Sequence, residues 1–412
     1  MDSSASLELS KQILFSFGLV LAAGTVSGFL SQRIKVPDVV IFLLAGILLG
    51  PEITGLLHIK AESALNQIIL IFGSCYILFD GGASLRFKVL KEVWITIAAL
   101  STVGVVIMTF ITGLAAFYIM GIPFTVALLL GASTASTDPA TLVPILRKLH
   151  IRERVSQTVI GESAFNDVIS AIVTFGVLAV AMGSGEFSFG TSFISLLKQS
   201  IVGVVAGGLM GYLAALFIAH EKFNFLAEYA PVVTLMAVIG AYLGSENFHA
   251  SGFMAVFVFG IVIGNKESFG FYMSMAEQKT FRDYVFTTAF IMRMFIFILL
   301  GSQVDFSLVN RYLGGGVAVV TIFMLVSRPL TVFLCALPDR RARWSINEII
   351  FMCWTRETGV IPAALAGLLM GLNAPGSRLI ASVIFIAILM TLFIQATTTR
   401  WLAGRLRLLE KT

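Results

Sequence analysis

A ten-residue stretch, residues 161–170 with the sequence Gly-Glu-Ser-Ala-Phe-Asn-Asp-Val-Ile-Ser, places two acids and an amide inside a long apolar run. The run is long enough to cross a lipid bilayer as a helix. An ionised carboxylate in hydrocarbon costs on the order of 3 kcal/mol unless it faces protein, water or a cation. At about 100° per residue, Ser163 and Asp167 share one helix face. Glu162 and Asn166 share the neighbouring face.

Carboxylate, hydroxyl and amide oxygens are ligands for hard monovalent cations. The alternative is a polar cluster that only holds neighbouring helices together, which is the better interpretation of a single polar residue. Because two acids, an amide and a serine fall so close together here, the stretch favours a transport site for a cation.

The composition is that of a membrane protein. Hydrophobic residues make up 58% of the chain and charged residues 12%, and the mean hydropathy is +0.95. Many apolar runs reach about 18 residues or more, which predicts an all-α polytopic membrane protein. The recurrent short alternating segments of an outer-membrane barrel are not found in the sequence.

Thirteen apolar segments are predicted to be transmembrane helices. The loops between them are short, so residues 1–412 are expected to form a single transporter unit without a soluble regulatory domain. The predicted bounds are approximately 12–33, 36–50, 65–81, 92–120, 122–149, 154–182, 192–220, 225–245, 250–264, 281–303, 307–337, 346–372 and 379–403.

Basic residues are distributed unequally between alternate loops. Twenty lysines and arginines lie in one set of loops and tails, and five lie in the other set. Positively charged loops stay in the cytoplasm, so the first set is predicted to be cytoplasmic. The N-terminus is then expected outside and the C-terminus in the cytoplasm, which requires an odd number of crossings.

Segments five and twelve are interrupted in matching ways. Segment five contains Ser-Thr-Ala-Ser-Thr-Asp-Pro at residues 133–139, and segment twelve contains Thr-Arg-Glu-Thr-Gly at residues 355–359. Proline removes a backbone donor and glycine tolerates unwinding, so each stretch predicts a break between two half-helices. Irregular backbone at membrane depth is tolerated where it is buried or lines a cavity. Both breaks and Asp167 are therefore expected at a shared centre.

The two interrupted segments also predict internal symmetry. Each is the fifth segment of a set of six, which indicates two inverted six-helix repeats of the kind found in secondary transporters. The repeats are expected at about residues 12–182 and 225–403, joined by a linker helix at about residues 192–220.

Charged residues inside the apolar runs need partners. Arg328 is the deepest of the arginines in these runs, and we predict that it pairs with Glu162. This pair would leave Asp167 as the carboxylate available to a proton or a cation. Arg356 and Glu357 are adjacent at the second predicted break, where they are expected to compensate each other and the facing half-helix ends.

Two further acids have alternative roles. Asp138 either contacts the ion directly or caps the half-helix that Pro139 begins. Asp80 either belongs to the site or is an ordinary acid at a helix end. The sequence contains no phosphate-binding glycine loop, no paired metal-ligand motif and no nucleophile with a credible base. We therefore expect a transporter without a cofactor rather than an enzyme or an ATP-driven pump.

These motifs resemble those of the monovalent cation/proton antiporter superfamily. Gly-Glu-Ser-x-x-Asn-Asp at residues 161–167 is similar to the signature of its NhaP and eukaryotic sodium/proton exchanger branch, where Asn-Asp replaces the Asp-Asp of the electrogenic branch. Thr-Asp-Pro at residues 137–139 resembles the first broken helix of the family. Phe-Asp-Gly-Gly at residues 79–82 and Ser-Arg-Pro at residues 327–329 resemble two further motifs. The resemblance spans essentially the whole chain.

The resemblance implies an antiporter with the NhaA/NhaP-like fold that works as a homodimer in the cell membrane, with the lipid bilayer around it and without a nucleic-acid partner. Its substrates would be a proton and Na+, or Li+ or K+. With Asp167 as the single exchanging acid, we expect electroneutral 1:1 exchange by alternating access. A K+/H+ antiporter, a cation channel and a non-transporting sensor are the alternatives.

The implied ion site comprises Asp167, Ser163, Asp138, the backbone at Thr137 and Asp80, with Asn166 supporting it and Glu162 and Arg328 as a structural pair. Residues 355–359 depart from the Leu-Arg-Gly of many relatives by an added acid, Glu357.

Overall fold

The computed structural model describes residues 3–34, 36–60, 63–137, 142, 145–146, 149–183, 189–220, 223 and 225–410. Among these residues, nine helical spans are long and apolar enough to cross a membrane, and four shorter apolar helices accompany them. The α-helices are α1 (Ser3–Ile34), α2 (Asp38–Leu49), α3 (Ala64–Ala83), α4 (Phe87–Ser101), α5 (Val103–Met120), α6 (Phe124–Thr134), α7 (Glu153–Ala181), α8 (Phe189–Ala219), α9 (Ala230–Asn247), α10 (Gly252–Gly264), α11 (Met275–Ser302), α12 (Phe306–Ile322), α13 (Arg328–Ala336), α14 (Ile346–Trp354), α15 (Val360–Gly371), α16 (Ser377–Met390) and α17 (Thr397–Arg405).

The predicted all-α membrane fold is confirmed. Each predicted segment coincides with one helix or with two consecutive helices; in segment five the coincidence is with α6, since most of its second half lies outside the described residues. The count of thirteen crossings and the two inverted repeats remain predictions.

The helices pack in two groups. One group, called the scaffold group below, consists of α1, α2, α3, α8, α9, α10 and α11. The other, called the site group, consists of α4 to α7 and α12 to α17. Glu162, Ser163, Asn166 and Asp167 lie on α7 of the site group, and Arg328 lies on α13 of the same group. Asp80 lies on α3 of the scaffold group.

Glycines allow backbones to approach closely in the scaffold group. Gly46 on α2 lies against the Ile298 carbonyl of α11, and Gly260 on α10 lies against the Phe79 carbonyl of α3. A methyl group at either glycine would clash with the facing carbonyl oxygen. Without a hydrophobic driving force between helices in lipid, such close contacts hold them together.

Two long spans of the site group contain a turn of π-helix. Phe323–Ser327 joins α12 to α13, and Thr391–Ala396 joins α16 to α17. Pro329 explains the first of these, because proline has no backbone N–H and clashes with the preceding turn. The local widening occurs immediately before Arg328, the first residue of α13.

Both predicted breaks are present in the described backbone. Helix α6 ends at Thr134, and residues 135–137, called the first break below, are not helical. Helix α14 ends at Trp354 and α15 begins at Val360, so residues 355–359 form the second break. The hydroxyl of Thr134 donates to the Gly131 carbonyl at 3.1 Å, a bond that satisfies one of the last four carbonyls of α6.

Candidate functional site

Helix α7 carries the candidate site. Glu162, Ser163, Asn166 and Asp167 are all buried, with at most 2% of any of these residues exposed. Asp167 lies in the middle of the helix, fourteen residues after Glu153. A carboxylate at this depth has been removed from bulk water, so its surroundings determine its affinity for a proton or a cation.

The first break lies directly against two of these side chains. The backbone N–H of Thr137 donates to the Asn166 Oδ1 at 3.2 Å. The Asn166 Nδ2 donates to the Thr137 Oγ1 at 2.8 Å, and this hydroxyl lies 2.9 Å from the Ser163 Oγ. Asn166 therefore acts as a side-chain cap for unwound backbone, because it replaces a hydrogen bond that a continuous helix would have supplied.

Asp167 contacts the first break through a residue that the sequence analysis did not assign. The Ser136 hydroxyl donates to the Asp167 Oδ1. One turn further along α7, the Ser170 Oγ donates to the Ala132 carbonyl at 2.6 Å and fixes the end of α6 against the helix. Ser136 belongs to the polar run that predicted the break, so that run is the signal that could have identified it.

Glu162 faces a different neighbour. The Arg328 Nη2 donates to the Glu162 Oε2 at 2.8 Å, and the Nη1 donates to the Oε1, which gives a two-bond ion pair. The Arg328 Nε also donates to the Met352 carbonyl of α14 at 3.1 Å. Both charged residues are 1% exposed. The structure thus contains the contact that the charges in the sequence predict, and it joins α7, α13 and α14.

The second break reaches the first through an arginine. The Arg356 Nη2 donates to the Ala135 carbonyl, which belongs to the residue immediately after α6. The guanidinium carbon of Arg356 lies 4.6 Å from the centroid of the Phe323 ring, within the range of a cation–π contact. Arg356 therefore meets the negative end of α6, as expected for compensation of a half-helix end. Glu357 is fully buried beside it.

The beginning of α7 is held by a network near Glu348. The Arg154 Nη2 donates to the Ala342 carbonyl at 2.7 Å, and the Arg154 Nε lies 3.3 Å from the Glu348 Oε1. The Arg154 guanidinium also lies over the Trp344 ring, 4.3 Å from its centroid. Since Glu348 belongs to α14, this network ties the first turn of the helix that carries Asp167 to the half-helix before the second break.

Two further acids were predicted as ligands. Asp138 lies outside the described residues. Asp80 is buried near the end of α3, and α3 packs against α7. A role for either acid as an ion ligand remains a prediction.

The described residues provide ligand chemistry suited to a hard monovalent cation. The cluster consists of two hydrogen-bonded pairs: the Asp167 carboxylate with the Ser136 hydroxyl, and the Thr137 hydroxyl with the Ser163 hydroxyl. The carboxylate is also a proton acceptor. The same cluster is therefore suited chemically to hold a cation or a proton at Asp167.

Comparison with known proteins identifies the family. The model of the family described as sodium/hydrogen exchanger, transmembrane, matches residues 18–405. Similar relatives include the Na+/H+ antiporter 1 of Methanocaldococcus jannaschii, 29% identical over 85% of this chain and 81% of the relative. The K+/H+ antiporter NhaP of Alkalimonas amylolytica is 28% identical over 96% of this chain and 68% of the relative. The structure of the sodium proton antiporter MjNhaP1 from Methanocaldococcus jannaschii at pH 8 matches with a TM-score of 0.78 and 26% identity, over 97% of this chain and 99% of that chain. The chain therefore belongs to the sodium/hydrogen exchanger family.

Proposed function

We propose that this protein is a secondary active antiporter that exchanges one Na+ for one proton, with Asp167 holding either of them in turn. The observation that supports this most strongly is the position of Asp167. It is a buried carboxylate in the middle of a membrane-length helix, and it accepts from the side chain of Ser136 in the unwound segment. Desolvation raises the proton affinity of such a group, and a bound cation lowers it. Competition between the two at one carboxylate gives coupled exchange.

The neighbouring charges support a single exchanging group. Glu162 is hydrogen-bonded twice to Arg328, so its negative charge is already compensated inside the site group. Asn166 is neutral and is engaged with Thr137. With one carboxylate that alternates between its proton and its cation, each half-cycle carries a single positive charge. Exchange is then one for one and electroneutral.

Alternating access requires a rigid unit that moves or closes around the site. The Glu162–Arg328 pair and the Arg154–Glu348 network link α7 with α13 and α14. We propose that the site group behaves as this unit relative to the scaffold group, and that Asp167 is exposed to one side of the membrane at a time.

Helix pairing supports the proposed inverted repeats. If the second and third segments of the first repeat correspond to the ninth and tenth segments of the chain, the pair of α2 with α11 corresponds to the pair of α10 with α3. Both pairs pack closely, and both use glycine against a facing carbonyl at Gly46 and Gly260. We also propose the cell membrane as the location, a homodimer as the assembly, and a cytoplasmic C-terminus, the last from the unequal distribution of basic residues.

K+ is the alternative cation. A relative that is 28% identical over 96% of this chain is named as a K+/H+ antiporter. The same oxygen ligands would serve either ion, because selectivity depends on cavity size and ligand field.

The deciding experiment is proton transport in proteoliposomes under an imposed pH gradient. Addition of Na+, Li+ or K+ to vesicles with wild-type protein should release the gradient with saturable dependence on one or more of these cations. Vesicles with Asp167→Asn are the matched control and should show no response. Cation-driven proton movement by Asp167→Asn would contradict the mechanism. Conductance without saturable exchange would indicate a channel, and no flux of any cation in the wild-type protein would indicate a sensor.

A further inference from the structure

Glu357 is a buried acid for which the proposed exchange cycle has no role. It lies in the second break, next to Arg356, and both residues are fully buried. It precedes the first residue of α15 by three positions, on the side of the positive end of that helix. An ionised acid at this depth costs free energy unless its charge interacts with protein, water or a cation.

The neighbouring residue Arg356 carries a permanent positive charge close to the ion site. A guanidinium does not lose its proton in a protein. The Arg356 Nη2 donates to the Ala135 carbonyl, and the next residue, Ser136, donates its hydroxyl to Asp167. The residue that binds Arg356 and the residue that binds Asp167 are therefore consecutive in the unwound backbone.

A positive charge at this position opposes the binding of a cation. In a buried region of low effective dielectric, a charge within several ångströms changes binding by a kcal/mol or more, on the order of tenfold in affinity. The contact with the Phe323 ring and the contact with Ala135 fix Arg356 in place, so its field at Asp167 is constant. An adjacent negative charge is the direct means to reduce this field.

We propose that Glu357 determines the cation affinity of the site by offsetting the field of Arg356 at Asp167. Glu357 does not bind the cation as a ligand. Its negative charge reduces the effect of the Arg356 charge at Asp167. The inference rests on the proposed function, since it assumes that Asp167 binds the cation.

The test measures the apparent KM for Na+ in proteoliposomes, at a pH high enough that KM no longer falls as the pH is raised. Under this condition protons do not compete with Na+, and KM reflects the affinity of the site for Na+ alone. Glu357→Gln should raise KM about tenfold, because Arg356 is then uncompensated. Arg356→Gln should lower KM, because Glu357 then adds an uncompensated negative charge. The double variant removes both charges, so the two opposite shifts cancel and its KM should return to within about threefold of the wild type. Glu357→Asp retains the charge and serves as the matched control, with a KM near that of the wild type.

Several outcomes would overturn the proposal. An unchanged KM in Glu357→Gln, or shifts of the same sign in the two single variants, would exclude charge compensation. Exchange that becomes independent of membrane potential only after Glu357→Gln would mean that Glu357 itself carries a proton through the cycle. If Glu357→Gln does not fold, Arg356→Gln and the double variant still test the proposal by the order of their KM values. Na+-induced stabilisation against heat in detergent, with choline chloride as control, gives the same order without transport.

Failure of this proposal is distinguishable from failure of the proposed function. Asp167→Asn measured in the same vesicles reports whether exchange depends on Asp167. If Asp167→Asn is inactive and Glu357→Gln has the wild-type KM, only the role of Glu357 is wrong. If Asp167→Asn still exchanges cations for protons, the site itself is wrong.

Discussion

The two helix breaks differ in where their charge lies. Residues 135–137, the described part of the first break, are uncharged, and Ser136 among them donates to the Asp167 carboxylate on the neighbouring helix α7. Asp138 follows them in the sequence and lies outside the described residues. The second break contains its own charged side chains, those of Arg356 and Glu357. The side chain that it meets on the neighbouring helix is Thr391, whose hydroxyl accepts from the Thr358 N–H at 3.1 Å.

The contact positions match although the chemistry does not. Thr391 lies fourteen residues after Ser377, the first residue of α16, and Asp167 lies fourteen residues after Glu153, the first residue of α7. In both places a side chain at this depth binds an unwound segment. In the proposed mechanism, the first break lies beside the group that exchanges ligands. The second break holds fixed charges that complement helix ends.

The strongest test of this difference is Asp167→Asn. The substitution removes the only group assigned to competition between proton and cation while it keeps the size of the side chain. We expect exchange to fall below detection, as measured by dissipation of a pH gradient in proteoliposomes. The variant should retain a monodisperse profile in detergent. Robust exchange by this variant would mean that the charged second break, rather than the first, performs the chemistry.

The Glu162–Arg328 pair tests whether the charges beside the first break are structural. Removal of either partner strands a buried charge, at a cost of about 3–5 kcal/mol. Glu162→Gln and Arg328→Gln should therefore each lower the free energy of unfolding in detergent by roughly this amount, and each should lower activity. The double substitution removes both charges together and should recover much of the stability.

The measurement is a double-mutant cycle on thermal unfolding. Glu348→Gln is a useful reference, because Glu348 is also a buried acid with arginine partners but lies in a different network at the start of α14. Glu348→Gln should be additive with Arg328→Gln. Simple additivity of Glu162→Gln with Arg328→Gln would contradict the pairing seen in the structure.

The sequence was sufficient for the features that depend on periodicity and on buried charge. Apolar runs predicted the helices, proline and glycine within polar runs predicted the breaks, and the cost of a buried charge predicted the partner of Glu162. These inferences require only local pattern and the rule that an ion in hydrocarbon needs compensation. They do not require knowledge of how the helices are arranged in space.

The features that could not be predicted from the sequence depend on the path of unwound backbone. Helical spacing shows that Ser163 and Asp167 share a face, but it does not show which hydroxyl of the break meets each of them. The structure assigns Ser136 to Asp167 and Thr137 to Ser163. The contact of Arg356 with the Ala135 carbonyl likewise joins two segments that are distant in sequence. The π-helical turn at Thr391–Ala396 has no local sequence signal such as the proline that follows Arg328.

One hydroxyl beside each break provides a finer comparison. Ser163→Ala removes an oxygen that shares a helix face with Asp167 and should raise the KM for Na+ several-fold, consistent with about 1 kcal/mol for one polar contact. Thr391→Val leaves the Thr358 N–H without its acceptor and should lower stability by about 1–3 kcal/mol. Its KM should stay near the wild-type value. A larger change in KM for Thr391→Val than for Ser163→Ala would remove the distinction between the breaks.

The smallest expected effect concerns membrane potential, and it bears on the charges of both breaks at once. One carboxylate that exchanges one proton for one monovalent cation moves no net charge in a complete cycle. A potential of about 100 mV is worth roughly 2.3 kcal/mol for each net charge moved. The equilibrium between the Na+ gradient and the pH gradient should therefore be unchanged when potassium and valinomycin set this potential across the vesicle membrane, provided that K+ is first shown not to be a substrate. A clear shift would require a second carboxylate to gain and lose a proton. Repeating the measurement with Glu357→Gln would then identify this second carboxylate. Loss of the voltage-dependent shift in that variant would identify Glu357 in the second break. Persistence of the shift would leave Asp138, beside the first break, as the candidate.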